Sequence, residues 1–166
     1  MVIPAEQASA VWDALMQAGA AFGIKPAGLG ARDTLRLEMG YPLYGQEMDE
    51  NTTPIEASLG MFLDFEKDFI GKERLVAQKE QGVARKLLGF ELMSGGVPRA
   101  GHLIYSDQKE VGRVTSGNYA PSLKKGIGMG YVDVQYSGLG SELLVDIRGK
   151  AVPVVVVKKP FYQKKK

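Results

Sequence analysis

Two arginines one helical turn apart are the side chains of this sequence best suited to binding an anion. Arg32 and Arg36 are four residues apart, so that both lie on one face of a predicted helix. A guanidinium stays charged when it is partly buried and can donate two parallel hydrogen bonds to a carboxylate. The alternative is a solvated helix face with intrahelical pairing to Asp33 or Glu38, and the residues alone favour it.

Other polar residues offer less chemistry. Glu47, Asp49 and Glu50 precede a predicted helix start, where negative charge interacts favourably with the helix dipole, and we interpret them as helix-capping residues. His102 falls in an alternating strand pattern, which favours a half-exposed strand residue over a general base. The sequence alone indicates no Ser-His-Asp set, no phosphate-binding loop and no carboxylate pair in an apolar pocket.

The composition excludes several classes of function. The chain has 166 residues, 45% of them apolar, which suffices for one domain or two small ones. The net charge is only +2, and a terminal run of three lysines at 164–166 leaves little excess charge for a nucleic-acid surface. With no cysteine, one histidine and no long apolar run, we predict a cytoplasmic protein without a metal, nucleic-acid or membrane partner.

Helical patterns occupy the first half of the chain. A first predicted helix follows Pro4, a second carries both arginines and ends at Gly40, a third begins at Thr53, and a fourth covers residues 71–81. The third prediction rests on a capping box, in which Thr53 is the N-cap, Pro54 the first helical residue and Glu56 the side chain that reaches back. The first rests on an apolar stripe made of Ala8, Val11, Trp12, Leu15 and Met16.

The second half has a different residue pattern, in which short β-branched runs alternate with glycine-rich turns. A hairpin is expected at 148–150, and six strands in about 80 residues indicate a small closed antiparallel barrel. The predicted fold is α+β, with a helical domain at 1–82 and the barrel at 83–166. The six runs are residues 86–93, 102–106, 111–116, 129–132, 143–147 and 152–157. Five glycines are interpreted as turns and barrel kinks: Gly112, Gly117, Gly126, Gly128 and Gly130.

Two long segments resemble the glycine cleavage T-protein family. Residues 28–75 read GLGARDTLRLEMGYPLYGQEMDENTTPIEASLGMFLDFEKDFIGKERL, and residues 112–132 read GRVTSGNYAPSLKKGIGMGYV. The match covers nearly the whole chain in the right order. The resemblance implies three lobes around a folate cavity, of which this chain would supply the end of the folate-binding part and the C-terminal barrel.

The same resemblance implies an activity and site residues. The family transfers an aminomethyl group from the lipoyl arm of the H-protein to tetrahydrofolate and releases ammonia. Its catalytic aspartate lies upstream of the matched region, so we expect no catalytic residue in this chain and no activity of the chain alone. Arg32 matches the arginine of the family's Ala-Arg-Asp pattern that contacts folate, and Tyr162 matches a tyrosine near the family's C-terminus that approaches the ligand.

Two alternatives stay open from the sequence. Related lobes form the C-terminal part of the folate enzymes that oxidise dimethylglycine and sarcosine. Those enzymes carry a flavin domain upstream. The chain could also be a non-catalytic module whose barrel binds another protein.

Overall fold

A computed structural model describes residues 2–163 of the chain. The chain divides into two compact units at residues 32 and 33. The helices are α1 (Ala8–Gly19), α2 (Leu29–Glu38), which crosses from one unit to the other, and α3 (Lys72–Gln81). The strands are β1 (Arg85–Leu92), β2 (Leu103–Ser106), β3 (Lys109–Ala120), β4 (Lys125–Asp133), β5 (Glu142–Ile147) and β6 (Lys150–Val157).

The first unit, residues 2–32, consists of α1 and the start of α2. A short 3-10 turn on each side extends α1, and Gly23 ends this run with a φ of 70°. The predicted first helix is confirmed. Its apolar stripe stays largely accessible, because Trp12 is 51% exposed and Leu15 is 47% exposed.

The second unit, residues 33–163, contains the barrel. The six strands are all antiparallel and close in the order β1-β4-β3-β2-β5-β6. Closure gives each of these six strands of the described residues a hydrogen-bonded neighbour on both sides, so that none of them is an edge strand. The predicted α+β fold with a six-stranded antiparallel barrel is therefore confirmed.

The predicted hairpin between the last two strands is also confirmed. Ile147 pairs with Lys150, and the two residues between them have positive φ angles, 56° at Arg148 and 80° at Gly149. Two positive φ angles define the tight turn whose twist matches the flanking strands. Asp146 supports the turn by accepting a 2.6 Å hydrogen bond from the Gly149 N–H.

Glycines at alternate positions of β4 leave space inside the barrel for side chains of the neighbouring strands. Gly128 pairs with Phe90 of β1, and the Phe90 ring occupies the space that a Gly128 side chain would fill. The interior is thus packed with side chains from other strands, such as Ile104 and Val145, both 0% exposed. The sequence pattern indicates turns at five glycines, namely Gly112, Gly117, Gly126, Gly128 and Gly130. That interpretation is wrong, because all five lie within β3 or β4.

We expect Gly128→Ala to destabilise the barrel by about 1–3 kcal/mol, the usual cost of overpacking a closed core. A Cβ atom at this position would overlap the Phe90 ring, whose neighbours are also buried. Gly95→Ala is the matched control, since nothing lies within 4 Å of its Cβ position. Urea unfolding of both variants measures the difference, and equal midpoints would contradict this account of the interior.

The other face of β4 carries a second core outside the barrel. Ile127 and Met129, both 0% exposed, pack with Leu37 from the last turn of α2 and with Phe161 near the chain end. Burial of these side chains stabilises the end of α2 on the barrel wall.

The predicted helix at Thr53 is wrong, although its capping box forms. Thr53 N–H donates to Glu56 Oε2 at 2.9 Å, and Glu56 N–H donates to Thr53 Oγ1 at 3.3 Å. The chain makes only turns here, because Ser58 has a φ of 60° and its hydroxyl donates to the Leu87 carbonyl. Tertiary hydrogen bonds to β1 thus end the helix after one turn.

Candidate functional site

A polar cluster lies where the end of α2 meets the outer wall of the barrel. We call it the Arg36 cluster, and it consists of Asp33, Arg36, Gln46, Glu47 and Ser116. The Arg36 guanidinium donates to Asp33 Oδ1 at 2.7 Å, to Glu47 Oε2 at 2.8 Å and to Ser116 Oγ at 2.8 Å. Arg36 therefore pairs with Asp33, as one part of the solvated-face alternative expected, but its side chain is only 10% exposed and not solvated. The same guanidinium connects the helix, the loop and the barrel.

Glu47 is the most buried charged group of the cluster. Its side chain is 0% exposed, and Oε2 accepts hydrogen bonds from Arg36 and from the Leu43 N–H at 3.0 Å. Its Oε1 has no hydrogen-bond partner among the residues that the structure describes. The interpretation of Glu47 as a helix-capping residue is wrong, because its carboxylate is a buried counter-ion for Arg36.

A β-bulge in β3 turns Ser116 towards this cluster. Val114 faces the barrel interior and pairs with Gly130, whereas Ser116 pairs with Met129 of the outer face. Residues two apart share a face in a regular strand, so only the extra residue between them, Thr115, allows the opposite orientations. The bulge therefore places a buried hydroxyl in hydrogen-bond contact with Arg36.

A cleft of about 200 Å³ opens beside the Arg36 cluster, bordered by Glu47, Asp49, Arg85 and Tyr131. The Arg85 guanidinium lies 4.8 Å from the centre of the Tyr131 ring and pairs with Glu56 at 2.9 Å. Burial by itself would raise the pKa of Glu56, but hydrogen bonds from Thr53 and Arg85 outweigh it and lower that pKa. Burial raises the pKa of Tyr131, whose hydroxyl donates to the Glu47 carbonyl at 2.9 Å.

Lys159 is a partly buried cation on the same side of the barrel. Burial lowers its pKa to about 8, the Glu47 carboxylate opposes this shift, and Lys86 adds to it by like-charge repulsion. No carboxylate of residues 2–163 forms an ion pair with its ammonium group. The folded protein therefore favours neutral Lys159 more than the unfolded chain does.

The lowered pKa of Lys159 makes the stability of the folded protein depend on pH in a definite direction. The unfolded chain binds more protons at Lys159 between the folded pKa of about 8 and the ordinary value of 10.5, so stability rises with pH across that window. From pH 7.5 to 9.5 we expect the wild type to gain on the order of 1 kcal/mol over Lys159→Met. Urea unfolding at both pH values tests this, and parallel pH curves would contradict it.

The two residues predicted to contact folate lie in well-defined elements. Arg32 is on α2 and its side chain is exposed. Tyr162 is 41% exposed, and its N–H donates to the Glu38 carbonyl at 2.9 Å, so that its backbone is fixed in place. Their predicted roles stay predictions. His102 immediately precedes β2, and its Nδ1 accepts a 3.2 Å hydrogen bond from the Arg99 N–H.

The Arg36 cluster was not predicted from the sequence, since Arg36 lies 11 residues from Glu47 and 80 from Ser116. In the part of the chain that the structure describes, no three His, Asp or Glu side chains are grouped as metal ligands require. No helix between residues 2 and 163 is long and apolar enough to cross a membrane. The geometry of the cluster supports an architectural role, because its charges pair with one another.

Comparison with known proteins gives consistent results along the chain. The model of the GCVT N-terminal domain matches residues 1–67, and the model of the glycine cleavage T-protein C-terminal barrel domain matches residues 85–163. The aminomethyltransferase of Caldanaerobacter subterraneus subsp. tengcongensis is 49% identical over 163 residues, which are 98% of this chain and 44% of that protein. The aminomethyltransferase of Bacteroides thetaiotaomicron is 50% identical over 94% of this chain and 44% of its own length.

A solved structure agrees with these relatives. The crystal structure of glycine cleavage system aminomethyltransferase T from Bartonella henselae superposes with a TM-score of 0.84 at 32% identity, covering 96% of this chain and 45% of that one. The chain spans less than half the length of the curated relatives it matches. Because both family models match in sequence order and the fold agrees, the chain belongs to the glycine cleavage T-protein family and carries its C-terminal barrel domain.

Proposed function

We propose that this chain forms the C-terminal portion of a tetrahydrofolate-dependent aminomethyltransferase of the glycine cleavage system. The proposed reaction moves the aminomethyl carbon from a lipoylated H-protein to tetrahydrofolate and releases ammonia, in the cytoplasm and without a metal. Residues 1–82 belong to the folate-binding domain in this proposal, and residues 83–166 form the barrel domain.

One observation carries the proposal. Relatives that are each named aminomethyltransferase share 49–51% identity with this chain over 94–98% of its residues. The two family models contain both proposed folate contacts, since one matches residues 1–67 with Arg32 and the other residues 85–163 with Tyr162. The names of these relatives favour an aminomethyltransferase over the alternative of a dimethylglycine- or sarcosine-oxidising enzyme.

In this proposal Arg32 and Tyr162 both contact folate. A separate observation supports each of the two contacts. Arg32 projects from a helix, which gives a long cationic side chain a rigid base, and a guanidinium stays charged when a bound anion displaces its water. Tyr162 combines a fixed backbone with a partly exposed ring, a combination suited to contact with an amphipathic ligand.

A completed enzyme allows a direct test. It consists of this chain joined to the part of the Caldanaerobacter aminomethyltransferase that the chain does not match. We expect the completed enzyme to bind tetrahydrofolate in isothermal titration. We expect this chain alone to produce no methylenetetrahydrofolate from aminomethylated H-protein, since positioning and acid-base assistance need groups outside it. A folded completed enzyme without tetrahydrofolate binding would contradict the proposal.

A further inference from the structure

Lys159 lines a groove of about 280 Å³ between the start of β1 and the end of β6, within the second unit. Two further lysines, Lys86 and Lys158, line the same groove, and none of its other lining residues carries a charged side chain. Since a water molecule takes about 30 Å³ in the liquid, the groove has room for an anion of several non-hydrogen atoms. The half-buried Lys159 side chain is therefore open to a small reagent from the groove, next to two other cations.

Two glycines confine the carbon stem of Lys159. A Cβ atom at Gly40 would lie 2.8 Å from Lys159 Cβ, and one at Gly89 would lie 2.9 Å from Lys159 Cγ. Because neither position has a side chain, the stem fits closely against both residues. Phe161, two residues further along the chain, is buried and anchors the same segment. The amine of Lys159 is thus kept at the barrel wall instead of extending into bulk water.

This position favours the neutral amine of Lys159 over the ammonium form. Burial lowers its pKa to about 8, the Glu47 carboxylate opposes the shift, and the Lys86 charge adds to it. At pH 7.5 about a quarter of the amine is then neutral, compared with about one part in a thousand at the ordinary pKa of 10.5. Only a neutral amine has a free electron pair, so Lys159 has the properties of an activated nucleophile.

The other two lysines of the groove are available to bind an anion. Lys86 and Lys158 are exposed, and neither forms a salt bridge with a carboxylate of residues 2–163. An ammonium group has three donors and pairs well with phosphate oxygens. A phosphorylated reagent held by these two lysines would have its reactive carbon in the same groove as the Lys159 amine.

We propose that Lys159 is a modification site whose side-chain amine is acylated by a small acyl phosphate bound at Lys86 and Lys158. The neutral nitrogen attacks the carbonyl carbon of the acyl phosphate and forms an amide C–N bond. The C–O bond to the phosphate breaks, and phosphate leaves with that electron pair. The nitrogen releases one proton to the solvent, so that the product is an uncharged acyl-lysine. This reactivity is separate from the proposed aminomethyl transfer and does not depend on it.

The test measures the rate of acylation at each lysine of the folded chain. We expect acetyl phosphate at pH 7.5 to acetylate Lys159 about tenfold faster than Lys150, which is exposed and lies outside the groove. The gain is smaller than the ratio of neutral amine, because nucleophilicity falls as the pKa falls. Peptide mass spectrometry over time gives both rates, and fragment spectra separate Lys159 from Lys158. In denaturing urea the two rates should become equal.

A single variant tests the phosphate contact. Lys158→Gln keeps Lys86, which contributes to the pKa of Lys159, and removes one proposed partner of the phosphate. It should slow acetylation of Lys159 by acetyl phosphate about threefold, the scale of one partly exposed ion pair. Its reaction with an uncharged reagent, the N-hydroxysuccinimide ester of acetic acid, should keep the wild-type rate. Lys124→Gln, an exposed position outside the groove, is the matched control and should change neither rate.

Stability gives a second measurement on the acetylated protein. An amide at Lys159 no longer titrates, so the gain in stability from pH 7.5 to 9.5 expected of the wild type should disappear. Circular dichroism checks that each sample is folded. Equal acetylation rates at Lys159 and Lys150 in the folded chain would overturn the proposal. A preference for Lys159 that persists in urea would overturn it as well, and so would an unchanged acetyl phosphate rate in Lys158→Gln.

Discussion

Arg36→Ala is expected to lower the free energy of unfolding of this chain by about 3–5 kcal/mol, the cost of removing one partner from a buried ion pair. The variant leaves the Glu47 carboxylate, which is 0% exposed, without its guanidinium partner. It also removes the donor to Ser116 on the barrel wall. The loss would be a large share of the stability of an ordinary domain. Urea unfolding followed by circular dichroism measures it.

Two further variants separate burial from charge. Arg113 pairs with Glu110 at 3.9 Å, and both side chains are more than half exposed, so Arg113→Ala should cost about 1 kcal/mol or less. The double variant Arg36→Met/Glu47→Leu removes both buried charges and should be more stable than Arg36→Ala, because no buried carboxylate is left unpaired; Asp33 is 39% exposed and stays solvated. A loss below 1 kcal/mol in Arg36→Ala would contradict the structural role of the cluster.

Arg32→Ala is expected to weaken tetrahydrofolate binding by the completed enzyme by about 2 kcal/mol or more, roughly thirtyfold in affinity. The reason is that a folate anion in a cavity needs a donor that stays cationic after desolvation. Arg32→Lys should fall between alanine and the wild type, since it keeps the charge and loses the bidentate geometry. Isothermal titration measures the three affinities.

The control for this series is Arg74→Ala on α3, which removes the same charge from an exposed side chain. Arg36→Ala would also be expected to affect folate affinity much less than Arg32→Ala, but its effect on stability makes it a poor control. If Arg32→Ala bound tetrahydrofolate as tightly as the wild type does, the prediction would be contradicted. Arg32 would then be interpreted as part of a solvated helix face.

The barrel could be predicted from the sequence because each strand carries its own local signal. Alternating β-branched runs marked the strands, and the segment Arg148-Gly149-Lys150 between the last two runs marked the last hairpin. The predicted strands at 111–116 and 129–132 were too short, because glycines within β3 and β4 resemble turns. Only the position of the Phe90 ring shows why a strand needs glycine at 128.

The Arg36 cluster could not be predicted in the same way. Its contacts join a helix, a loop and a strand that are distant in sequence, and the orientation of Ser116 depends on a bulge at Thr115. The helix predicted at Thr53 failed for a related reason, since its capping box formed but tertiary contacts of Ser58 ended the turn. Local patterns describe elements well and describe contacts between them poorly.

The central claim is that this chain serves as the C-terminal portion of a tetrahydrofolate-dependent aminomethyltransferase. Its most direct test is the rate at which the completed enzyme forms methylenetetrahydrofolate and ammonia from aminomethylated H-protein and tetrahydrofolate. We expect a rate within about tenfold of the parent Caldanaerobacter enzyme, because this chain is 49% identical to the portion it replaces. A tenfold change in rate corresponds to only about 1.4 kcal/mol in activation free energy. A completed enzyme that folds and binds tetrahydrofolate but shows no turnover above the uncatalysed rate would contradict the claim.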